Sequence, residues 1–149
     1  MRYKNKMNYL KEKWSDSFQN KIPKQQYIAK VENGEERGLN IILEGEEFNA
    51  LIDFGVVAGV QMLDEGVELN LSDDDESDDE FIRIRSKGFF NTIYQVRNSH
   101  FGLYIRKLMG DELFDLLNYQ EYCIITLNYV IYVISKYEPK ITTVKNKIN

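Results

Sequence analysis

Near the N-terminus, apolar residues recur at spacings of three and four: Met7, Leu10, Trp14 and Phe18 within residues 3–20, with Lys4, Lys6, Lys11, Lys13 and Asp16 on the other faces. That stripe predicts a helix. Pro23 ends it, because proline disfavours the helical region for the residue before it. From Tyr27 the pattern changes to short, β-branched or alternating runs: Tyr27 to Glu32 leading into Asn33-Gly34, Leu39 to Glu44, Phe48 to Phe54, and Val56 to Leu63. Gly45 and Gly55 fall where tight connections are needed, which suggests an antiparallel meander. Leu39, Ile41 and Leu43 share one face, and Asn40, Ile42 and Glu44 share the other. Phe81 to Arg85 and Phe90 to Val96 are further strand candidates.

Ser99 is placed to cap a helix carrying Phe101, Leu103, Tyr104, Ile105, Leu108 and Met109. Gly110 interrupts it, and Asp111 starts a second short helix that buries Leu113, Phe114, Leu116 and Leu117. Tyr122 to Leu127 and Val130 to Ser135 form a hairpin around Asn128-Tyr129. Beyond Pro139, residues 140–149 lack a buried-face pattern and are expected to fray. The assembled expectation is one α+β domain over residues 1–149: a single curved, mainly antiparallel sheet of six to eight strands, an N-terminal helix within residues 1–23 and a helical segment near residues 99–118. The helices should cover one sheet face and leave the other open to a partner.

The chain has 149 residues, of which 43% are hydrophobic and 29% charged. These values fit a folded soluble domain better than a disordered chain. No apolar run approaches the roughly eighteen residues that span a bilayer, and the start of the chain has no apolar signal region, so a cytoplasmic location is expected. A net charge of −5 argues against direct binding of nucleic acid, which draws on an excess of lysine and arginine.

The distribution of charge says more than its sum. Residues 1–30 hold 8 basic and 2 acidic side chains, residues 31–80 hold only Arg37 against 17 acidic ones, and residues 81–149 hold 10 basic and 5 acidic. The densest stretch runs from Ser72 to Glu80. Repulsion between its carboxylates predicts an open, solvated loop, and the same loop could present negative charge to a basic cleft on another protein. It lacks the alternation and the glycine of a calcium loop, so divalent ions would bind it only loosely and without selectivity.

Catalytic equipment is sparse. Phosphate-cradling glycine motifs, the G-x-S-x-G elbow and the H-E-x-x-H zinc pattern are absent. One cysteine, Cys123, and one histidine, His100, leave little for a metal centre or a nucleophile–base pair. Cys123 sits in an apolar strand pattern and His100 beside the helix cap Ser99. Asp53, Asp64 and Glu65 lie on or beside strands, but acid hydrolysis needs two carboxyls at a fixed separation with unequal pKa values. No enzyme activity, cofactor or metal is therefore expected. Ten tyrosines suit both sheet packing and an interface that meets arginine and lysine.

Between Leu39 and Pro139, Leu51-Ile52-Asp53-Phe54, Leu63-Asp64-Glu65-Gly66, Tyr94 to Ser99 and Tyr122 to Glu138-Pro139 resemble the immunity proteins of bacterial polymorphic and contact-dependent toxin systems. This resemblance covers about two-thirds of the chain and implies a cognate toxin, often a basic nuclease, neutralised by occlusion of its active cleft. Such proteins share no set of binding residues that could be carried over. The charge map places the expected contact on Asp73, Asp74, Asp75, Glu76, Asp78 and Asp79, with Asp64 and Glu65 as a second patch. Two alternatives stay open: an accessory or self-assembling protein of a phage or mobile element, and an acidic nucleic-acid mimic directed at a host defence enzyme.

Overall fold

A computed structural model describes residues 11–65 and 91–147. In chain order the elements are β1 (Lys13–Ser15), β2 (Tyr27–Gly34), β3 (Gly38–Gly45), β4 (Phe48–Gly55), β5 (Gly59–Asp64), β6 (Ile93–Arg97), α1 (His100–Met109), α2 (Asp111–Leu116), β7 (Gln120–Ile125), β8 (Tyr129–Ser135) and β9 (Lys140–Lys145). The strands form two antiparallel sheets, a five-stranded one in the order β1-β6-β7-β8-β5 and a four-stranded one in the order β2-β3-β4-β9. The expected single sheet is thus two. The switch falls at Gly55, whose positive φ of 68° ends β4. Three residues later the Ala58 N–H donates to the Ile134 carbonyl, on the other sheet.

Two apolar cores lie on opposite faces of the five-stranded sheet. Leu39, Ile41, Leu43 and Ile52 of the smaller sheet pack against Ile93, Tyr122, Ile124, Ile131 and Val133. The Tyr122 ring meets Phe18 and Phe54 at centroid distances of 5.8 and 5.4 Å. Burial, with Glu138 adding to it, pushes its hydroxyl up to about 12. On the far side, Phe101 of α1 and Phe114 of α2 pack with Trp14, Tyr94, Cys123, Tyr132 and Ile134. The molecule is therefore layered: small sheet, large sheet, helices.

The two helices form where the sequence places them, but of Leu113, Phe114, Leu116 and Leu117, all expected to be buried, only Phe114 is; Leu113 and Leu116 are exposed and Leu117 is half-buried. The Ser99 hydroxyl accepts from the Gly102 N–H at 2.9 Å, and Gly110, at φ 92°, separates α1 from α2. The expected N-terminal helix is corrected by the structure: residues 11–23 hold a short strand and turns, and residues 1–10 lie outside the described residues. Trp14 and Phe18 share a helical spacing, yet they enter different cores on opposite sides of the large sheet, which one helix face cannot do. Residues 140–145 are corrected as well. They form β9, with Ile141 paired to Ile52 and Val144 to Asn49. An edge strand that sends only Ile141 partly inward leaves too weak an apolar pattern to be recognised, and its ladder to β4 holds it.

The β2–β3 hairpin turns at Glu35–Arg37, with Gly34 paired to Gly38. Gly38 adopts φ +71°, and a Cβ there would lie 2.0 Å from the Gly55 carbonyl carbon, so only glycine lets the turn close on the end of β4. Gly38→Ala should cost at least about 2 kcal/mol of unfolding free energy. Gly34→Ala meets no atom within 4 Å, and its cost should stay within about 0.5 kcal/mol. Urea unfolding of the two variants checks the difference; equal costs would contradict the close approach.

Candidate functional site

Among the described residues the outer face of the small sheet is open, while both faces of the large sheet carry an apolar core. Strand register arranges its outward side chains in three rows: Ile28, Glu44, Asn49 and Val144; Lys30, Ile42, Leu51 and Thr142; Glu32, Asn40, Asp53 and Lys140. A bulge between Leu39 and Asn40 shifts the register against β4 and bends this end of the sheet. The result is a groove of about 1040 Å³. Ile42 and Leu51 form an apolar floor, Thr142 and Val144 one side, and Glu32, Glu35, Glu36 and Asp53 an acidic rim that includes a single cation, Arg37.

Local hydrogen bonds set this shape. Asp53 Oδ1 accepts from the Gly55 N–H at 3.0 Å, fixing the carboxylate at the bulged end. The Gln25 side chain clamps the β3–β4 turn, donating to the Phe48 carbonyl at 2.8 Å and accepting from the N–H groups of Glu47 and Phe48. Asn146 ties the end of β9 to the same turn by donating to the Gly45 carbonyl at 2.8 Å. Lys30 and Glu32 form an exposed ion pair at 3.1 Å, which contributes little in water. Glu35 and Glu36 are exposed on the turn, with no ion pair among the described residues. Seven acidic side chains, Glu32, Glu35, Glu36, Glu44, Glu46, Glu47 and Asp53, thus belong to the small sheet, against Lys30, Arg37, Lys140 and Lys145.

Of the carboxylates singled out in the sequence, Asp53 lines the groove, while the residues expected to make the partner contact fall elsewhere. Asp73, Asp74, Asp75, Glu76, Asp78 and Asp79 lie outside the described residues. Asp64 ends β5, opposite Tyr129 at one edge of the large sheet, and exposed Glu65 follows it. Neither lines the groove. Alternation in β3 puts Asn40, Ile42 and Glu44 on one strand face, the face that opens onto the groove. A second signal was a lone glutamate in the apolar stretch from Gln120 to Ile125.

That glutamate, Glu121, is buried against the start of α1. Its Oε1 accepts from the Ser99 hydroxyl at 3.0 Å, and the backbone N–H groups of Asn98 and Ser99 also reach the carboxylate. A Cβ on Gly102 would lie 1.2 Å from Oε1, so the helix backbone sits directly on this group. Beside it a polar pocket of about 260 Å³ includes Arg106, whose guanidinium pairs with Asp115 at 2.9 Å and lies 4.3 Å over the Phe114 ring. Burial pushes the Glu121 carboxyl up to about 7, outweighing the hydrogen bonds and the Arg106 charge, which pull it down. Its donors all come from the helix start and the loop before it, which makes it a brace for the α1 cap. Among the described residues, no group of three or more His, Cys, Asp or Glu side chains could hold a metal ion, and no helix is long and apolar enough to cross a membrane.

Glu121 holds its proton more tightly in the folded chain than in the unfolded one. The stability this contributes is fully present below about pH 4.5 and is lost as pH rises through about 7. Glu121→Gln removes the titration, so the unfolding free energy of wild type relative to this variant should fall by about 3 kcal/mol between pH 4.5 and 8. Urea titrations across that range measure it, and a flat difference would rule out the buried acid.

Comparison of the chain with protein-family models, with curated proteins and with solved structures found no match in any of the three.

Proposed function

We propose that the protein is a non-enzymatic acidic binding protein that neutralises a basic partner, a toxin or nuclease, by occluding its active cleft. The observation that carries this is the acidic-rimmed groove on the open face of the small sheet. Carboxylates at its rim attract a basic surface over a distance and raise the association rate. Ile42 and Leu51 then supply apolar area that loses water on contact. The resemblance to bacterial immunity proteins suggests the same kind of partner. Asp73, Asp74, Asp75, Glu76, Asp78 and Asp79 add charge of the same sign. A specific observation supports a second role, that of a self-assembling accessory protein: β9 pairs only with β4 and leaves its outer edge unpaired within the described sheet.

Capture from a lysate of the source organism, at low and moderate salt, should recover a basic toxin or nuclease whose activity falls stoichiometrically when the purified chain is added. Replacing Glu32, Glu35 and Glu36 with Gln and Asp53 with Asn should slow association about tenfold at low salt and flatten its salt dependence. Full partner activity in the complex would overturn the inhibitory role, and an unchanged association rate would remove the groove from it. A concentration-independent oligomer in light scattering, with no basic partner captured, would instead establish self-assembly.

A further inference from the structure

Building on the binding role proposed above, we infer that the groove's occupant is a basic segment of the partner, with arginine or lysine stems laid on Ile42 and Leu51 and their charged heads among Glu32, Glu35, Glu36 and Asp53. The mix of surfaces selects this chemistry. Leu51 is 37% exposed and Ile42 half-buried, so the floor is apolar but narrow. Carboxylates crowd one end of it, at the β2–β3 turn and the bulge. An aliphatic side chain would satisfy the floor and leave the rim's field unused, and a small cation would do the reverse. Arginine and lysine carry both parts, an aliphatic stem that lies on apolar surface and a head that stays polar. At about 1040 Å³ the groove exceeds the size of most small-ligand pockets and has room for several side chains.

The rim is also set up to receive cations from outside. Among the described residues Arg37 is the one cation lining the groove, Lys30 is held to Glu32 at 3.1 Å, and Lys140, across from Asp53, makes no ion pair with it, which leaves Glu35, Glu36 and Asp53 without an ion pair. Asp53 accepts one backbone N–H, from Gly55. A carboxylate held in this way keeps lone pairs for a guanidinium fork.

The test uses the full chain, isotope-labelled for NMR, and the peptide Ac-Arg-Ser-Arg-Ser-Arg-Ser-NH2, which puts its three arginines on one side when extended. Its citrulline counterpart serves as the neutral control. To keep the Ser72–Glu80 run from competing, the background carries Asp73, Asp74, Asp75, Asp78 and Asp79 replaced by Asn and Glu76 by Gln. Ile42 and Leu51 methyl signals should shift on titration with the arginine peptide and not with the citrulline one. Leu51→Ser and, separately, Asp53→Asn with Glu36→Gln should each raise the dissociation constant at least fivefold, with unfolding midpoints measured to confirm that the variants fold. Shifts centred outside the groove, or a dissociation constant indifferent to both variants, would overturn the inference while leaving inhibition of a captured toxin intact. Groove binding by the peptide, alongside capture of no basic partner, would keep the basic-segment site and reject the inhibitory role.

Discussion

The fold depends on keeping one sheet dry on both faces. In β7 and β8 alternate side chains go to opposite cores: Tyr122, Ile124, Ile131 and Val133 towards the small sheet, and Cys123, Val130, Tyr132 and Ile134 towards the helices. Each aliphatic side chain buried this way contributes on the order of 1.5–3 kcal/mol. Neither face can do without its cover, so the helices are a structural layer, and the small sheet is fixed by its inner face. The small sheet's outer face is the surface this arrangement leaves free.

The same dependence explains why a carboxylate sits in the helical interface. α1 must start close above the large sheet to bring Phe101 into the core, and its first N–H groups then point towards β7. Glu121 meets that end through the Ser99 hydroxyl, and Gly102 gives it room. Water could satisfy those donors at an exposed helix start, but under a packed layer a buried acceptor has to.

Much of the local structure could be read from the sequence. The Ser99 cap, the break at Gly110 and the alternation of Leu39, Ile41 and Leu43 follow from rules of spacing and capping. What could not be read was partition among layers. Trp14 and Phe18 fit a helix equally well until their destinations are known. The run from Val56 to Leu63 is apolar apart from Gln61, so nothing in its composition marks the crossing after Gly55 from one sheet to the other. The site followed the same rule: the alternation places Ile42 and Glu44 on a common face and the neighbouring strand brings Leu51 and Asp53 beside it, but the addition of Thr142 and Val144 depends on a pairing distant in sequence.

β9 carries a further consequence, one of timing. Asn146 reaches the Gly45 carbonyl across 101 residues, and β9 is the strand that completes the small sheet. Pairings this remote close slowly, because loop entropy must be lost before any contact offsets it. As the chain emerges from the ribosome, β4 waits with a bare edge while the large sheet is still being made. Thr142 and Val144 arrive after the other strands of both sheets, and with them the groove's second side. A nascent or truncated chain would therefore display the acidic turns without a finished groove, so the binding proposed for it would wait on completion of both sheets.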